Sequence, residues 1–399
     1  MKKIWTYLLL ISSAAVCASY EPISATNAIN KGEPAPIIKY PVFDPIDTSS
    51  YEMRKKRLML DSLFRSKVRN EGFNGTVLIA KQGTIIYEGA FGYADYYAKD
   101  TLTPNSSFQL ASISKTLTSG AVLKLKEQGK LSLDDSVQRF IPLFPYKGIT
   151  IRHLLNHRSG LPNYLYFGTK WSPGKNVLLT NSYVIEMMRE HKPGILFSPN
   201  SRFQYSNTNY LVLAHIVEQA SGMSFKDYMY TNIFQPLDMR NSWVFDFTYG
   251  QHPGRTFGYK AGWKTDEFTP FDGVVGDKGI YSSVEDMFKW DQALYTGKIL
   301  SAETLREAWT PYSFENPGKK NYGLGWRLIQ QPDNSYMPYH NGWWHSYNTV
   351  FYRIMQDKAT IIILSNKYNR GVYNVQPIWN ILYGAFGMEG YLKADEPDE

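Results

Sequence analysis

The sequence predicts an α+β fold. One antiparallel sheet is built from both chain ends and flanked by N- and C-terminal helices, with a large, mostly helical domain inserted between. Two observations predict it. Short β-branched runs with tight turns occur near the two ends of the folded part. The stretch between them carries helical apolar spacing broken by Pro- and Gly-rich loops. No internal repeat suggests another division, and a cleft is expected between the two lobes.

Residues 1–18 have the pattern of a secretory signal: Lys2 and Lys3, an apolar run over 4–16, and Val16-Cys17-Ala18 as a small-residue cleavage site. The run is shorter than the ~20 residues a helical span requires, so no transmembrane segment is expected in the mature protein. The expectation is an exported, periplasmic protein that loses its only cysteine, Cys17, with the signal. The alternative is a lipoprotein anchored through Cys17, against which the bulky Val16 argues. Residues 19–50 are rich in Pro and polar residues and are expected to form an extended linker. The formal charge is +7, from 43 basic and 36 acidic residues. The basic residues are scattered apart from Arg54-Lys55-Lys56-Arg57, which suits the wet face of a helix. Neither a nucleic-acid surface nor the interleaved aromatics of a single-strand binder is present.

The main folded domain is expected over 51–390, with 51–110 and 319–390 forming the sheet lobe and 111–318 the helical lobe. Residues 391–399 read as a loose acidic tail. Leu60, Leu63, Phe64 and Val68 mark the buried side of a helix ending near Glu71-Gly72. Strands follow at 76–80 and 84–88, joined by Lys81-Gln82-Gly83. Ile113, Leu117 and Ala121 open a helix, with further helices at 150–155 and 210–219. Strands return at 323–329, 348–354 and 360–364, and a last helix covers 373–383.

Three patterns carry chemistry. Ser112 and Lys115 are three apart on a helix and so share a face, in a first turn whose free N–H groups disfavour an ammonium. A neutral lysine can take the proton of a serine hydroxyl and make it a nucleophile. Tyr205 and Asn207, two apart in extended backbone, point the same way; the phenol can relay a proton and the amide can hold a carbonyl or an amine. Tyr339-His340-Asn341-Gly342-Trp343-Trp344 opens a late hairpin. There His340 can donate a hydrogen bond or carry charge, and Gly342 leaves room for a substrate. Decoys exist at Ser172-Pro173-Gly174-Lys175, Tyr230-Thr231-Asn232 and His252-Pro253-Gly254, but only the first set satisfies both order and context. No Gly-x-Ser-x-Gly elbow occurs. His153 and His157 are four apart without a third ligand, so a structural role is expected and no metal. No phosphate-cradling loop or cofactor is implied.

These motifs resemble the penicillin-recognising serine hydrolases, on the side of the class C β-lactamases, DD-peptidases, D-aminopeptidases and related esterases. His153-Leu154-Leu155-Asn156-His157-Arg158-Ser159-Gly160-Leu161, Pro236-Leu237-Asp238-Met239, Gly276-Asp277-Lys278-Gly279 and Tyr322-Gly323-Leu324-Gly325-Trp326 look like framework segments of that family. The resemblance implies an acyl-enzyme on Ser112, with Lys115 and Tyr205 as a coupled base. It further implies Asn207 bonding Lys115 and substrate, and His340 in the place of the family's strand lysine or histidine. The N–H groups of Ser112 and Trp343 would form the oxyanion hole. The substrate would be a peptide or small molecule, cell-wall material included; oligomeric state is not implied. Asn341 and Trp343 offer no hydroxyl for a substrate carboxylate, and Trp343 and Trp344 suggest an apolar wall. The expectation is therefore a peptidase, amidase or esterase in preference to an efficient β-lactamase. The alternatives are a true class C-like β-lactamase or DD-carboxypeptidase, and a sensor that acylates once without turnover. His340 or Arg353 is the expected fallback contact for a carboxylate.

Overall fold

The computed structural model describes residues 42–246, 248, 252–315 and 318–384. The signal at 1–18, the linker up to residue 41, Cys17 and the tail at 391–399 lie outside the described residues. Among the described residues no helix is long and apolar enough to cross a membrane.

Helix α1 (Tyr51–Glu71) starts at Ser50, whose hydroxyl accepts from Met53 N, and stops at the left-handed Gly72. Strands β1 (Gly75–Lys81) and β2 (Thr84–Phe91) form a hairpin, followed by the short pair β3 (Tyr93–Asp95) and β4 (Asp100–Thr101). At the other end of the chain come β8 (Lys320–Tyr322), β9 (Arg327–Gln330), β10 (Tyr336–Trp344), β11 (Tyr347–Ile354) and β12 (Ala359–Ser365). The sheet order is β2-β1-β12-β11-β10-β9-β8, all antiparallel. Gly75 pairs with Ser365 and Ala80 with Thr360, so the two chain ends meet at the inner strands β1 and β12.

Alternation along the strands divides the core. Val77, Ile79, Ile361 and Ile363 pack with Leu60 and Phe64 of α1 and with Ile378 and Trp379 of α11 (Gln376–Tyr383). Leu78, Ala80, Ile362 and Leu364 face the insertion. That insertion comprises α2 (Ser114–Glu127), α3 (Val137–Phe140), α4 (Ile151–Leu155), α5 (Tyr164–Trp171), α6 (Asn181–His191), α7 (Thr208–Ser221), α8 (Phe225–Met229), α9 (Val284–Thr296) and α10 (Ala302–Ala308). Arg353 of β11 and Asp291 of α9, both fully buried and ion-paired, pin it to the sheet, and Thr360 Oγ1 donates to Asp291 Oδ2 at 2.7 Å.

Three details differ from expectation. The strand expected at 323–329 is two strands, parted by Gly323–Trp326, where a Cβ at Gly323 would stand 2.1 Å from Ala308 O. The helical stretch also contains β6 (Trp243–Val244) and β7 (Ile280–Ser282), which complete a three-stranded sheet with β5 (Phe108–Gln109). The final helix is preceded by a 3-10 turn over Arg370–Tyr373.

Candidate active site

Ser112 lies not in the α-helix itself but in a 3-10 turn, Ala111–Ile113, that joins β5 to α2. Ala111 has φ +49°, a left-handed conformation that costs a non-glycine residue about 1–3 kcal/mol. Neighbouring bonds hold the turn: Leu110 N donates to Ile280 O at 2.8 Å, and Thr349 Oγ1 donates to Leu110 O at 2.8 Å. β10 runs directly against it. A Cβ on Gly342 would stand 2.3 Å from Leu110 O and 3.0 Å from Ser112 N, so only glycine allows this approach. The β9 ladder ends at Tyr339, leaving 340–344 paired on one side only.

Lys115 is fully buried because residues 114–123 of α2 are enclosed on every side. Its Nζ reaches Ser112 Oγ at 3.0 Å, Asn207 Oδ1 at 2.8 Å and the main-chain oxygen of Asp277 at 2.8 Å. Burial, helped by the Arg327 cation and opposed by Asp277, lowers the Lys115 amine to about 7. A neutral amine has two N–H bonds and one lone pair. Asn207 and Asp277 use the two donors, which leaves the lone pair for the Ser112 hydroxyl.

Tyr205 OH donates to Ser112 Oγ at 3.0 Å. It comes from an irregular segment, not a strand, and Asn207 opens α7 without capping it, its side chain being committed to Lys115. His157 splints this segment. Its carbonyl accepts from Gln204 N at 2.9 Å, its Nδ1 accepts from Ser206 N at 3.2 Å, and its ring packs 4.3 Å from that of Tyr205. The structural role expected for His157 is what the geometry displays. His153 Nδ1 accepts from Thr150 N at 3.3 Å in a capping box.

His340 is brought close, with its ring 6.5 Å from that of Tyr205, but both its nitrogens are occupied. Nδ1–H donates to Asn341 O at 2.7 Å, and Nε2 accepts from Tyr322 OH at 3.1 Å. Burial, with Arg327 and Lys115 nearby, holds it well below the usual imidazole range, so it is neutral, with its ring nitrogens committed to Asn341 and Tyr322. The expected strand-borne charge is not here. The cation near Tyr205 is instead the half-buried Arg327 on β9, 5.3 Å over the Tyr205 ring. Arg353 is corrected outright: fully buried between β11 and α9 and ion-paired with Asp291, it cannot meet a substrate. The wall of two indoles is also corrected, because adjacent strand residues alternate. Trp344 shares the face of Gly342 and lies beneath Lys278 Nζ at 4.6 Å, whereas Trp343 lies on the opposite face, with Asn341.

Of the decoys, Ser172 ends α5 and bonds only Gly174, Tyr230 is exposed, and His252 stacks on Trp243. Arg327, Asp277 and the splinting by His157 were not singled out by sequence. Arg327 gives no local signal, while an Asp-Lys pair between two glycines was visible but uninterpreted.

An antiparallel sheet from both chain ends, a helical insertion, and a serine approached by an amine and a phenol where they meet together are the marks of the β-lactamase-like serine hydrolase family. The comparisons agree. The sequence pattern of the beta-lactamase family matches residues 60–385, and the chain belongs to that family. A penicillin-binding protein of Bacillus subtilis (strain 168) is 37% identical over 331 residues, covering 79% of this chain and 72% of its own length. A D-aminopeptidase of Brucella anthropi is 26% identical, over 64% of this chain but only 49% of that protein. Among solved structures, the octameric penicillin-binding protein homologue from Pyrococcus abyssi superposes with a TM-score of 0.71 at 28% identity, over 83% of this chain and 78% of that one. A D-amino acid amidase from Ochrobactrum anthropi SV3, at 23% identity and TM-score 0.67, covers 84% of this chain and 98% of its own and shares the fold.

Proposed function

We propose that this protein hydrolyses an amide or ester through an acyl-enzyme on Ser112. The observation that carries the reading is the convergence of Lys115 Nζ and Tyr205 OH on one oxygen, Ser112 Oγ, each at 3.0 Å. Lys115, neutral, takes the hydroxyl proton as Oγ bonds the substrate carbonyl carbon. The N–H groups of Ser112 and Trp343 receive the developing oxyanion, a role that suits β10 lying against Ser112 N. The proton passes through Tyr205 to the leaving nitrogen or oxygen as that bond breaks. Water then enters by the same route in reverse and releases the acid. Asn207 holds Lys115 and is placed to meet the substrate amide. His340 supports Tyr322 behind Tyr205 in place of carrying charge.

For the substrate we favour a D-aminoacyl amide, a peptide or an uncharged ester over a β-lactam. On the Gly342 face of the strand neither His340 nor Trp344 brings a hydroxyl, and an unpaired buried carboxylate costs on the order of 1–3 kcal/mol. Relatives named D-aminopeptidase and penicillin-binding protein are consistent with cell-wall-type peptides. Arg327 favours a second reading, a carboxypeptidase or lactamase whose substrate carboxylate meets that cation at the Tyr205 side. The export pattern at 1–18 supports a periplasmic location, or a lipid anchor at Cys17; the mass of the processed N-terminus separates the two.

A fluorophosphonate should label the native protein and Ser172→Ala but not Ser112→Ala. In a panel of a D-alanyl p-nitroanilide, a p-nitrophenyl ester, a D-Ala-D-Ala peptide and a chromogenic cephalosporin, the first two should give the higher kcat/KM. Cephalosporin hydrolysis near 10⁷ M⁻¹s⁻¹ with negligible ester turnover would reverse the preference. A single burst without steady-state turnover would indicate a sensor.

A further inference from the structure

Behind Lys115 lies a second buried lysine that the reaction above does not use. Lys278 is 3% exposed and Asp277 is 1% exposed. Lys278 Nζ contacts Tyr164 OH closely, Val274 O at 3.5 Å and Asp277 Oδ2 at 3.5 Å, while Tyr164 OH donates to the same Oδ2 at 2.9 Å. Among the described residues, Asp277 Oδ1 has no hydrogen-bond partner. This carboxylate is thus under-solvated, with one neutral donor and one ammonium, and a buried charge so treated exerts its field on its neighbours. The nearest functional neighbour is bonded to the same residue: Lys115 Nζ donates to Asp277 O. Gly276 (φ +102°) presses the segment onto α7, where a Cβ would meet Tyr210 O at 2.5 Å, so the distance from Asp277 to Lys115 is built into the backbone.

We propose that Asp277 and Lys278 are positioning residues forming a buried charge balance that decides whether Lys115 can act as a base. This rests on the reading that Lys115 takes the proton of Ser112. Asp277 alone would stabilise an ammonium at Lys115 and quench the base. Lys278, 3.5 Å from the same carboxylate, offsets that field, so the pair holds Lys115 by a carbonyl without protonating it. The other groups facing Lys115 are Arg327, which also disfavours an ammonium, the phenols of Tyr205 and Tyr210, and the neutral imidazoles of His157 and His340. Lys278 is faced in addition by Asp272, whose charge His345 and Trp344 already engage.

The test is the pH dependence of the second-order rate of Ser112 acylation by a fluorophosphonate, on the full chain, which requires no turnover. In Lys278→Met the low-pH limb should move up by roughly one pH unit, and in Asp277→Asn it should move down by about as much. The double variant should return towards the native limb, and Lys278→Arg, keeping the charge, should stay near it. A purely structural role would lower rates in all variants without moving the limb. Asp277→Asn is isosteric, so its limb can be read even if Lys278→Met folds poorly. Unmoved limbs, or limbs displaced in the same direction by both single changes, overturn the proposal. Absence of labelling at Ser112 in the native protein would instead overturn the hydrolase reading.

Discussion

Arg353 and Lys115 are both sealed from solvent, yet Arg353 faces a carboxylate of its own, Asp291, whereas the hydrogen bonds of Lys115 among the described residues go to a hydroxyl, an amide oxygen and a main-chain carbonyl. The first arrangement keeps a charge in order to hold α9 on the sheet. The second keeps an amine close to losing its charge. A paired buried cation is a fastener; one left with neutral acceptors is poised for proton transfer.

Exchanging the properties of the two cations should break the contrast most sharply at Lys115. Lys115→Arg retains a cation but has no usable base, and acylation of Ser112 should fall about 10²- to 10⁴-fold, read as labelling rate. Near-native labelling would mean Lys115 serves only as a charge, as Arg353 does. Arg353→Ala should act on stability instead. It strands Asp291 and should cost about 3–5 kcal/mol in denaturant unfolding, with labelling intact in whatever fraction stays folded. A variant as stable as the native chain would remove the fastener.

Smaller effects sharpen the distinction. The Lys115 amine falls from 10.5 to about 7 on folding, so between those values the unfolded chain binds more protons and stability rises with pH. At pH 7 the cost is on the order of 2–4 kcal/mol, part of which Lys115→Met should recover while abolishing acylation. Thermal unfolding at pH 7 and 10 measures both, and a native chain less stable at pH 9 than at pH 7 would contradict the sign. The smallest effect is kinetic. kcat/KM should climb up to tenfold per unit below about pH 7 and level off above it; a profile flat from pH 5 to 9 would exclude the amine as the titrating base.

Local signals explain what the sequence disclosed. Ser112 and Lys115 share a helical repeat, and the short, near-continuous apolar runs over 76–80 and 360–364, rich in β-branched residues, mark strands wherever their partners lie. What stayed hidden depends on long-range placement. The conformation of Ala111 has no residue signature, because glycine, the usual marker, is absent. Arg353 and Arg327 belong to the same sheet, and their roles depend on what the fold brings to each: Asp291 for one, Tyr205 for the other. Two adjacent tryptophans read as one surface until strand alternation separates them. Gly276-Asp277-Lys278-Gly279 could be noticed as a pattern, but its meaning lies in Tyr164 and Lys115, far away in the chain.

The meeting of the two chain ends has a consequence for biosynthesis. Ser365 Oγ bonds Asn74 O across 291 residues, and Gly342 must lie against a turn laid down near residue 112. On a ribosome, which delivers the chain N-terminus first, Ser112 and Lys115 emerge long before the strand that borders them. Ordering by such distant contacts comes late and at a loop-closure cost. A chain that has not yet delivered β10 therefore carries Ser112 and Lys115 without the strand that lies against Ser112 N. The timing of reactivity is written into the topology: the chain arms itself only when its last strands have closed the sheet.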